Sequence, residues 1–434
     1  MVILIKALQV ILALSILILI HELGHFVFAK LFGIRVSKFY LFFDAGGFRL
    51  FKFKPKNSDT EYGIGWLPLG GYCKIEGMVD ESLDTEGLKK EPEDWEFRSK
   101  PAWQRLLVMA GGVLFNFIFA IIIYSIILAS WGEAYFSNKN QAIYTNELAQ
   151  NMGFRDGDYI LQFDDYKPEN FGMLQADLAR NNVHRATVLR DEDTINIYID
   201  QNYIGEILKT PGMFDLAIPF VIDSIPEISL NYNKGLKKGD KIIAIEGQEI
   251  DFVQDSRPIL AENQNSEVIA TILRENDTVE LNMKVDSSGL FGVYTKFPNI
   301  ERKKYSVLSS IPAGFNKAWS TVSGYVKDLK LVFTPKTEAY KSVGSFIAMG
   351  QIFPGKWDWF VFLNLLATLS IMLGVMNLLP IPALDGGHIV FTLYEMVTGR
   401  KPSVKFLTAM QIIGLLLLIA LMLLALGNDF SRIL

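Results

Sequence analysis

Cysteine is nearly absent from this chain, since Cys73 is the only one among 434 residues. A single thiol cannot form a disulfide within the chain, so any domain outside the cytoplasm must be stable without one. Histidine is also scarce, and its four residues leave few candidates for a metal site built on imidazole. An excess of positive charge is missing as well. The formal net charge of −5 argues against nucleic acid as a partner.

Apolar residues, in contrast, make up 50% of the chain and give it a mean hydropathy of +0.24. Four segments reach the length of about 20 apolar residues that a membrane-spanning helix needs. We predict spans over residues 3–31, 105–130, 359–379 and 406–426. The first run has no small-residue cleavage site after it, so we expect it to remain as a span and not to be removed as a signal peptide.

The motif His21-Glu22-Leu23-Gly24-His25 lies near the end of the first predicted span. On a helix, H-E-x-x-H puts two imidazoles one turn apart on one face, where both can bind one zinc ion. Glu22 then lies beside the ion and can take a proton from an attacking water. At membrane depth, this machinery implies peptide-bond cleavage inside the bilayer or at its edge. A chance match on an ordinary helix is the alternative.

A zinc enzyme needs a third protein ligand and one open position. After the third span, Asn377 leads into Pro380, Pro382 and Asp385. Two prolines two residues apart cannot continue a helix, and open backbone at membrane depth must be buried in protein or line a cavity. Spans one and three run in the same direction, so the two histidines and Asp385 share one membrane face. We predict Asp385 as the third ligand, with His388 as the competitor.

Basic residues near the ends of the spans predict the orientation of the chain. They are Lys30, Arg35 and Lys38 after span one, Arg98, Lys100 and Arg105 before span two, and Arg400, Lys401 and Lys405 before span four. Such residues are enriched in cytoplasmic loops. We therefore expect a multi-pass protein of the bacterial inner membrane, with its active site toward the cytoplasm and the long insert between spans two and three outside.

The long insert contains an internal repeat. Residues 153–160 (GFRDGDYI) recur as residues 235–242 (GLKKGDKI), and similar strand patterns follow each copy. Repeats about 80 residues apart predict two copies of one small α+β domain, each with one helix, over 171–180 and 255–263. The G-x-x-x-G-D pattern resembles the PDZ family. Two modules that bind no peptide and only provide structure are the alternative.

Together these motifs resemble the site-2 protease family of intramembrane zinc metalloproteases. The nearest branch is the regulator-of-sigma-E protease type, which carries tandem PDZ domains and cleaves anti-sigma factors. The resemblance covers the whole chain and rests on H-E-x-x-H at 21–25, N-x-x-P-x-P-x-L-D-G-G at 377–387 and G-x-x-x-N at 112–116. Residues 68–74 (PLGGYCK) are similar to the family's membrane-associated β-hairpin.

The resemblance implies that His21, His25 and Asp385 bind one Zn²⁺ per chain and that Glu22 is the catalytic base. It also implies that Asn377 holds the substrate backbone and that Asn116 positions substrate or water. The proline motif would unwind the incoming helix, and the hairpin edge would capture it as an added strand. The full set of implied substrate-binding residues is Asn377, Pro380, Pro382, Asn116, Gly70, Gly71 and Tyr72.

We therefore expect a polytopic α-helical membrane protein with four transmembrane helices, two inserted extracytoplasmic α+β PDZ-like domains and a membrane-associated β-hairpin. The expected domains are a membrane part over 1–131 with the hairpin at 60–78, PDZ-like domains over 132–207 and 208–298, an amphipathic connector over 299–358, and a second membrane part over 359–434.

The expected function is cleavage of transmembrane segments of single-span membrane proteins within the lipid bilayer. A pre-trimmed anti-sigma factor and remnant signal peptides are the two expected substrate classes. Two other function classes stay open. One is a membrane scaffold that binds partners through its PDZ-like pair and has a degenerate zinc site. The other is a metal transporter.

Overall fold

The computed structural model describes residues 1–68, 70–78, 91–298 and 300–433. Leu69 of the predicted hairpin and Asn299 at the start of the predicted connector lie outside these ranges. The chain divides into two compact units. The membrane unit comprises Met1–Glu133 and Lys304–Leu434, and the inserted unit comprises Ala134–Lys303.

The helices and strands are as follows. The α-helices are α1 Val2–Leu31, α2 Ala102–Trp131, α3 Glu147–Asn151, α4 Leu174–Arg180, α5 Ile204–Lys209, α6 Val253–Glu262, α7 Val307–Val332, α8 Phe346–Ile352, α9 Trp359–Leu378, α10 Asp385–Thr398 and α11 Val404–Ile433. The first nine strands are β1 Val36–Leu41, β2 Arg49–Phe53, β3 Glu61–Gly65, β4 Tyr72–Ile75, β5 Glu133–Phe136, β6 Ile143–Thr145, β7 Tyr159–Phe163, β8 Arg185–Arg190 and β9 Asp193–Tyr198. The others are β10 Phe214–Leu216, β11 Ile222–Ser224, β12 Lys241–Ile245, β13 Gln248–Glu249, β14 Glu267–Arg274, β15 Asp277–Lys284, β16 Tyr294–Thr295 and β17 Ile300–Lys303.

Within the described residues, α1, α2, α9 and α11 are the four helices long and apolar enough to cross a membrane, which confirms the four predicted spans. Local sequence explains where they end. The α2 helix begins directly after Pro101, whose fixed φ suits a helix start, and it stops before Gly132, which has a φ of 72°. The α9 helix ends two residues before Pro380, because proline cannot donate the next helical hydrogen bond.

The α2 helix is the centre of the membrane unit and packs against α1, α7, α9 and α10. Glycines let α2 approach α1 and α7 closely. Gly24 of α1 lies so close to the main chain of Gly111 on α2 that an added Cβ would collide with it. Gly314 of α7 lies equally close to Ser125 of α2. Small residues at such crossings let apolar helices pack at short range.

The segment after α1 forms a four-stranded sheet of order β2-β3-β1-β4. The predicted β-hairpin is therefore wrong, because β3 and β4 do not pair with each other. Both pair with β1, in parallel and antiparallel register respectively. The run Val36–Leu41, rich in β-branched and aromatic residues, supplies this central strand and buries Val36 and Tyr40. The strands β3 and β4 are close in sequence, but β1 lies between them in the sheet.

Among the described residues, the two largest sheets of the inserted unit have the strand orders β7-β8-β9 and β13-β12-β14-β15. The repeat seen in the sequence folds into equivalent arrangements: Arg190 donates to the Asp158 carboxylate and the Gly153 carbonyl, and Arg274 donates to the Asp240 carboxylate and the Gly235 carbonyl. The helices α4 and α6 lie close to the predicted positions. The assignment to the PDZ family and the domain boundaries stay predictions. Strand β10, which the boundary at 207 assigns to the second module, pairs with β6 of the first.

Candidate metal centre

Three side chains from two distant parts of the chain meet at one point in the membrane unit. His21 and His25 lie one turn apart on α1, and their Nε2 atoms are 3.3 Å from each other. Asp385 Oδ2 lies 3.3 Å from Nε2 of His21 and 3.4 Å from Nε2 of His25. Within the described ranges, this trio is the group of histidine and carboxylate ligand atoms that could hold a metal ion. His388 is not part of it.

The geometry of these three atoms fits zinc. Tetrahedral coordination with bonds of about 2.0–2.1 Å separates ligand atoms by about 3.3–3.4 Å, which matches the three sides of the triangle. Asp385 Oδ2 is buried and accepts no hydrogen bond within the described structure. A buried carboxylate oxygen without a donor is costly unless a cation neutralises it. Two imidazoles, one carboxylate and an open fourth position form a common catalytic zinc set.

Asp385 reaches this point because the chain turns sharply between α9 and α10. The turn contains Pro380 and Pro382, which interrupt the helix, and Asp385 is the first residue of α10. Gly386 packs directly on main-chain atoms of the preceding turn, and Gly414 of α11 packs on the Pro382 carbonyl. An added Cβ would collide at both glycines. The turn is thus enclosed by main-chain contacts that fix the position of the carboxylate.

The α2 helix supports both histidines from the side away from Asp385. The Nδ1 atom of His25 lies 2.8 Å from the Val108 carbonyl, and the Nδ1 atom of His21 lies 3.1 Å from the Asn116 side-chain amide. Between these two residues, Gly112 faces both rings, and a Cβ there would lie 2.5 Å from His25 Nε2. Val108 gave no sequence signal, because it contributes a main-chain carbonyl that any residue carries.

Glu22 lies next to the sheet as well as to the histidines. The main chain of Cys73 in β4 lies close to the Glu22 carboxylate. Among the described strands, β4 pairs only with β1, so its other edge has no strand partner there. Gly71 packs against α1, where a Cβ would lie 2.5 Å from the Ile18 side chain. Burial raises the pKa of the Cys73 thiol well above its ordinary value, so this thiol stays protonated at neutral pH.

The side chain of Tyr72, one of the implied substrate contacts, belongs to a polar network on the sheet. Its hydroxyl donates to Asp44 Oδ1 at 2.8 Å, and its ring stacks on Tyr40 with 5.4 Å between centroids. Partial burial and the bond to Asp44 raise the pKa of Tyr72. Burial acts to raise the pKa of Asp44, but hydrogen bonds from Tyr72 and Lys38 outweigh it and lower that pKa. The Tyr72 side chain is therefore already engaged, and the main chain of this segment is the part that could bind a substrate.

The other implied contact residues occupy different surroundings. Asn377 is half-buried, and its amide nitrogen lies 3.3 Å from His21 Nε2, on the metal side of that ring. Pro380 is exposed, whereas Pro382 is partly buried. Asn116 is fully buried behind His21 and has no exposed surface with which to touch a substrate. The structure thus separates Asn377, at the metal-facing side, from Asn116.

A family model described as peptidase family M50 matches residues 9–421 of this chain. The chain belongs to peptidase family M50. This is the site-2 protease family that the motifs resemble, so that prediction is confirmed. The chain is a zinc-dependent intramembrane endopeptidase by family, which favours the enzyme over the scaffold and the transporter.

Individual relatives agree with the family match over nearly the whole chain. A Borreliella burgdorferi protein named "Putative zinc metalloprotease" is 30% identical over 436 residues, with 98% of each chain covered. The regulator of sigma-E protease RseP of Salmonella typhimurium is 28% identical over 454 residues, and that of Escherichia coli is 27% identical over 449 residues, again with 98% of each chain covered. With its four apolar helices, this M50 chain is a multi-pass bacterial inner membrane protein.

Proposed function

We propose that this M50 protein cuts transmembrane segments of single-span membrane proteins at one zinc site held by His21, His25 and Asp385. The observation that carries the proposal is the triangle of ligand atoms at the end of a membrane-length helix, with Glu22 beside it. When bound, Zn²⁺ would polarise the scissile carbonyl and lower the pKa of a water molecule. Glu22 would take the proton of that attacking water and pass it to the leaving amine.

The sheet supports a way of presenting the substrate. A helical substrate hides its peptide bonds in its own hydrogen bonds, so it must be extended before it is cut. Strand β4 has an edge without a strand partner among the described residues, and the main chain of its Cys73 lies close to Glu22. An unwound substrate segment that adds to β4 as a further strand would carry its peptide bonds past Glu22. Gly70 and Gly71, which precede this edge, pack so closely on Phe43 and Ile18 that an added Cβ would collide, and they thereby fix the position of the edge.

Asn377 is the proposed polar contact to the substrate backbone. Its amide lies 3.3 Å from His21 Nε2 and so reaches the space next to the metal position. An asparagine amide can donate to a carbonyl and accept from an N–H, which suits an extended peptide. The turn with Pro380 and Pro382 lies directly after Asn377. We assign this turn the role of separating the substrate helix from its neighbours, in line with the family resemblance.

The inserted unit is proposed to control which substrates reach the metal. We place it outside the cytoplasm, on the basis of the Lys and Arg residues at the ends of the spans. Two relatives carry the name "Regulator of sigma-E protease RseP", which supports a pre-trimmed anti-sigma factor as substrate. Remnant signal peptides are the second proposed substrate class, because, like a pre-trimmed anti-sigma factor, they carry no bulky domain outside the cytoplasm. Two PDZ-like modules would exclude substrates whose bulky folded domain has not been removed.

One experiment tests these proposals together. The wild type and Glu22→Gln are purified in detergent, bound zinc is measured, and cleavage of a tagged single-span substrate is followed. We expect about one zinc per chain in both proteins and cleavage only by the wild type, because the substitution removes the base but no ligand. A wild type without zinc, or a Glu22→Gln protein that still cleaves, would refute the proposed chemistry.

The same preparation tests the substrate path and the gate. A photo-crosslinking residue at Tyr72 in the Glu22→Gln protein should capture the substrate, since cross-strand neighbours are about 5 Å apart. No capture would exclude β4 as the docking edge.

For the gate, two substrates with the same transmembrane segment are compared, one with a folded extracytoplasmic domain and one without. Equal cleavage of both would contradict a gating role of the inserted unit.

A further inference from the structure

Asn116 lies in an unusual position for a polar side chain. It is fully buried on α2, and its side-chain nitrogen is 3.1 Å from His21 Nδ1. Its side-chain oxygen is buried without a hydrogen-bond partner within the described structure. Its main-chain carbonyl accepts a hydrogen bond from Ser370 of α9 at 2.9 Å. Two helices therefore fix Asn116 behind His21, on the side of the ring opposite Asp385.

The tautomer of His21 follows from its surroundings. Nε2 of His21 faces Asp385 and His25, so this nitrogen must carry the lone pair that binds a metal. The proton of the neutral imidazole then sits on Nδ1, which needs a hydrogen-bond acceptor. The two orientations of an asparagine amide differ by a half-turn, and only the one that presents Oδ1 supplies this acceptor. That orientation also gives the buried oxygen a donor.

We infer that Asn116 is a positioning residue that accepts the Nδ1–H bond of His21 and holds its Nε2 toward the metal. It acts through His21 and does not touch the substrate, because it has no exposed surface. The Val108 carbonyl does the same for His25 at 2.8 Å. One histidine is thus oriented by main chain and the other by a side chain. Mutation can remove only the second of these supports.

The inference rests on the proposed metal site, and two substitutions in the full-length purified protein test it. Asn116→Leu keeps the volume but removes the acceptor, whereas Asn116→Asp keeps an acceptor oxygen at the same place. Zinc affinity is measured by competition with a chelator, and kcat and KM are measured at saturating zinc. We expect Asn116→Leu to lower zinc affinity by about 10- to 100-fold without raising KM, and Asn116→Asp to keep the wild-type affinity.

Gln9→Leu is the matched control. Gln9 is another fully buried amide with an unpartnered oxygen, but it lies on α1 and donates to the Pro354 carbonyl, away from the histidines. It should lower thermal stability and leave zinc affinity unchanged.

Three results would overturn the inference. They are wild-type zinc affinity in Asn116→Leu, a raised KM with zinc affinity intact, and loss of affinity in Asn116→Asp. If Asn116→Leu does not fold, the affinity of Asn116→Asp decides. A wild type that binds no zinc would instead refute the proposed function.

Discussion

Glycine serves different physical purposes in the two units of this protein. In the membrane unit, Gly112 and Gly386 stand where a Cβ would collide with a histidine ring or with main chain. In the inserted unit, Gly153 and Gly235 have no neighbour closer than 3.5 Å to an added Cβ, but their φ values are 99° and 87°. The first pair is needed for space and the second for a left-handed backbone. The candidate metal centre therefore needs glycine because it leaves space for close packing, whereas the repeats need glycine because it adopts a positive φ.

Both units also contain buried pairs of an arginine and a carboxylate. Arg105 of α2 and Glu395 of α10 are both about nine-tenths buried, and they join two helices that are 290 residues apart in sequence. In the inserted unit, Arg190 and Arg274 bind fully buried aspartates from positions that are 14% and 26% exposed. The Arg190 pair is as buried as the membrane-unit pair, and water reaches Arg274 more than it reaches either of the other two arginines. Loss of the arginine should therefore cost more at Arg105 than at Arg274.

The largest effect should come from adding one methyl group at Gly112. In Gly112→Ala, the new Cβ would meet Nε2 of His25 and the ring of His21, so the ligand atoms must separate. We expect zinc affinity and cleavage to fall by at least about 100-fold, beyond the usual effect of an outer contact. Zinc content and substrate cleavage of the purified protein measure this. Gly427→Ala is the control, because no atom lies within 4 Å of its added Cβ, and it should behave like the wild type.

The next largest effect should be on stability. Arg105→Gln leaves the buried Glu395 carboxylate without its charged partner and should lower the free energy of unfolding by about 3–5 kcal/mol. Unfolding in detergent by heat or denaturant measures it. Arg400→Gln, at an exposed position beyond the end of α10, should change stability by less than about 0.5 kcal/mol. Equal behaviour of the two variants would mean that the buried pair does not hold α10 to α2.

The sequence predicted the spans and the three side chains that meet at the candidate metal site, because both depend largely on local features. A membrane helix needs only an apolar run, and H-E-x-x-H is a spacing on one helix. Asp385 could be added because helix direction alternates across a membrane. The pairing of β1 between β3 and β4 could not be predicted, since strand order depends on contacts between distant segments. The Arg105–Glu395 pair and the Val108 carbonyl were missed for the same reason.

The smallest effect should come from the repeat pairs, and it should depend on pH. Burial acts to raise the pKa of Asp240, but the hydrogen bonds from Arg274 and from the Lys237 main chain lower it below its ordinary value. A carboxyl whose pKa is lower in the folded state stabilises the fold above its unfolded pKa of about 3.9, and this contribution is lost as the pH falls toward the folded pKa. Arg274→Met should therefore lower the stability of the second module by about 1.5–3 kcal/mol at neutral pH.

This stability difference between the wild type and Arg274→Met should narrow as the pH falls below about 4 and should close only below the lowered folded pKa of Asp240, where its carboxyl is protonated in both proteins. Hydrogen exchange of β14 and β15, compared between the two proteins at each pH, measures the difference. Arg190→Met is the matched change in the first module, and it should leave the rate of hydrogen exchange in β14 unchanged. Zinc affinity should stay at the wild-type value in both variants, since neither residue lies in the membrane unit. A drop in zinc affinity would show that the repeats contribute to the metal centre, and the contrast between the two units would then fail.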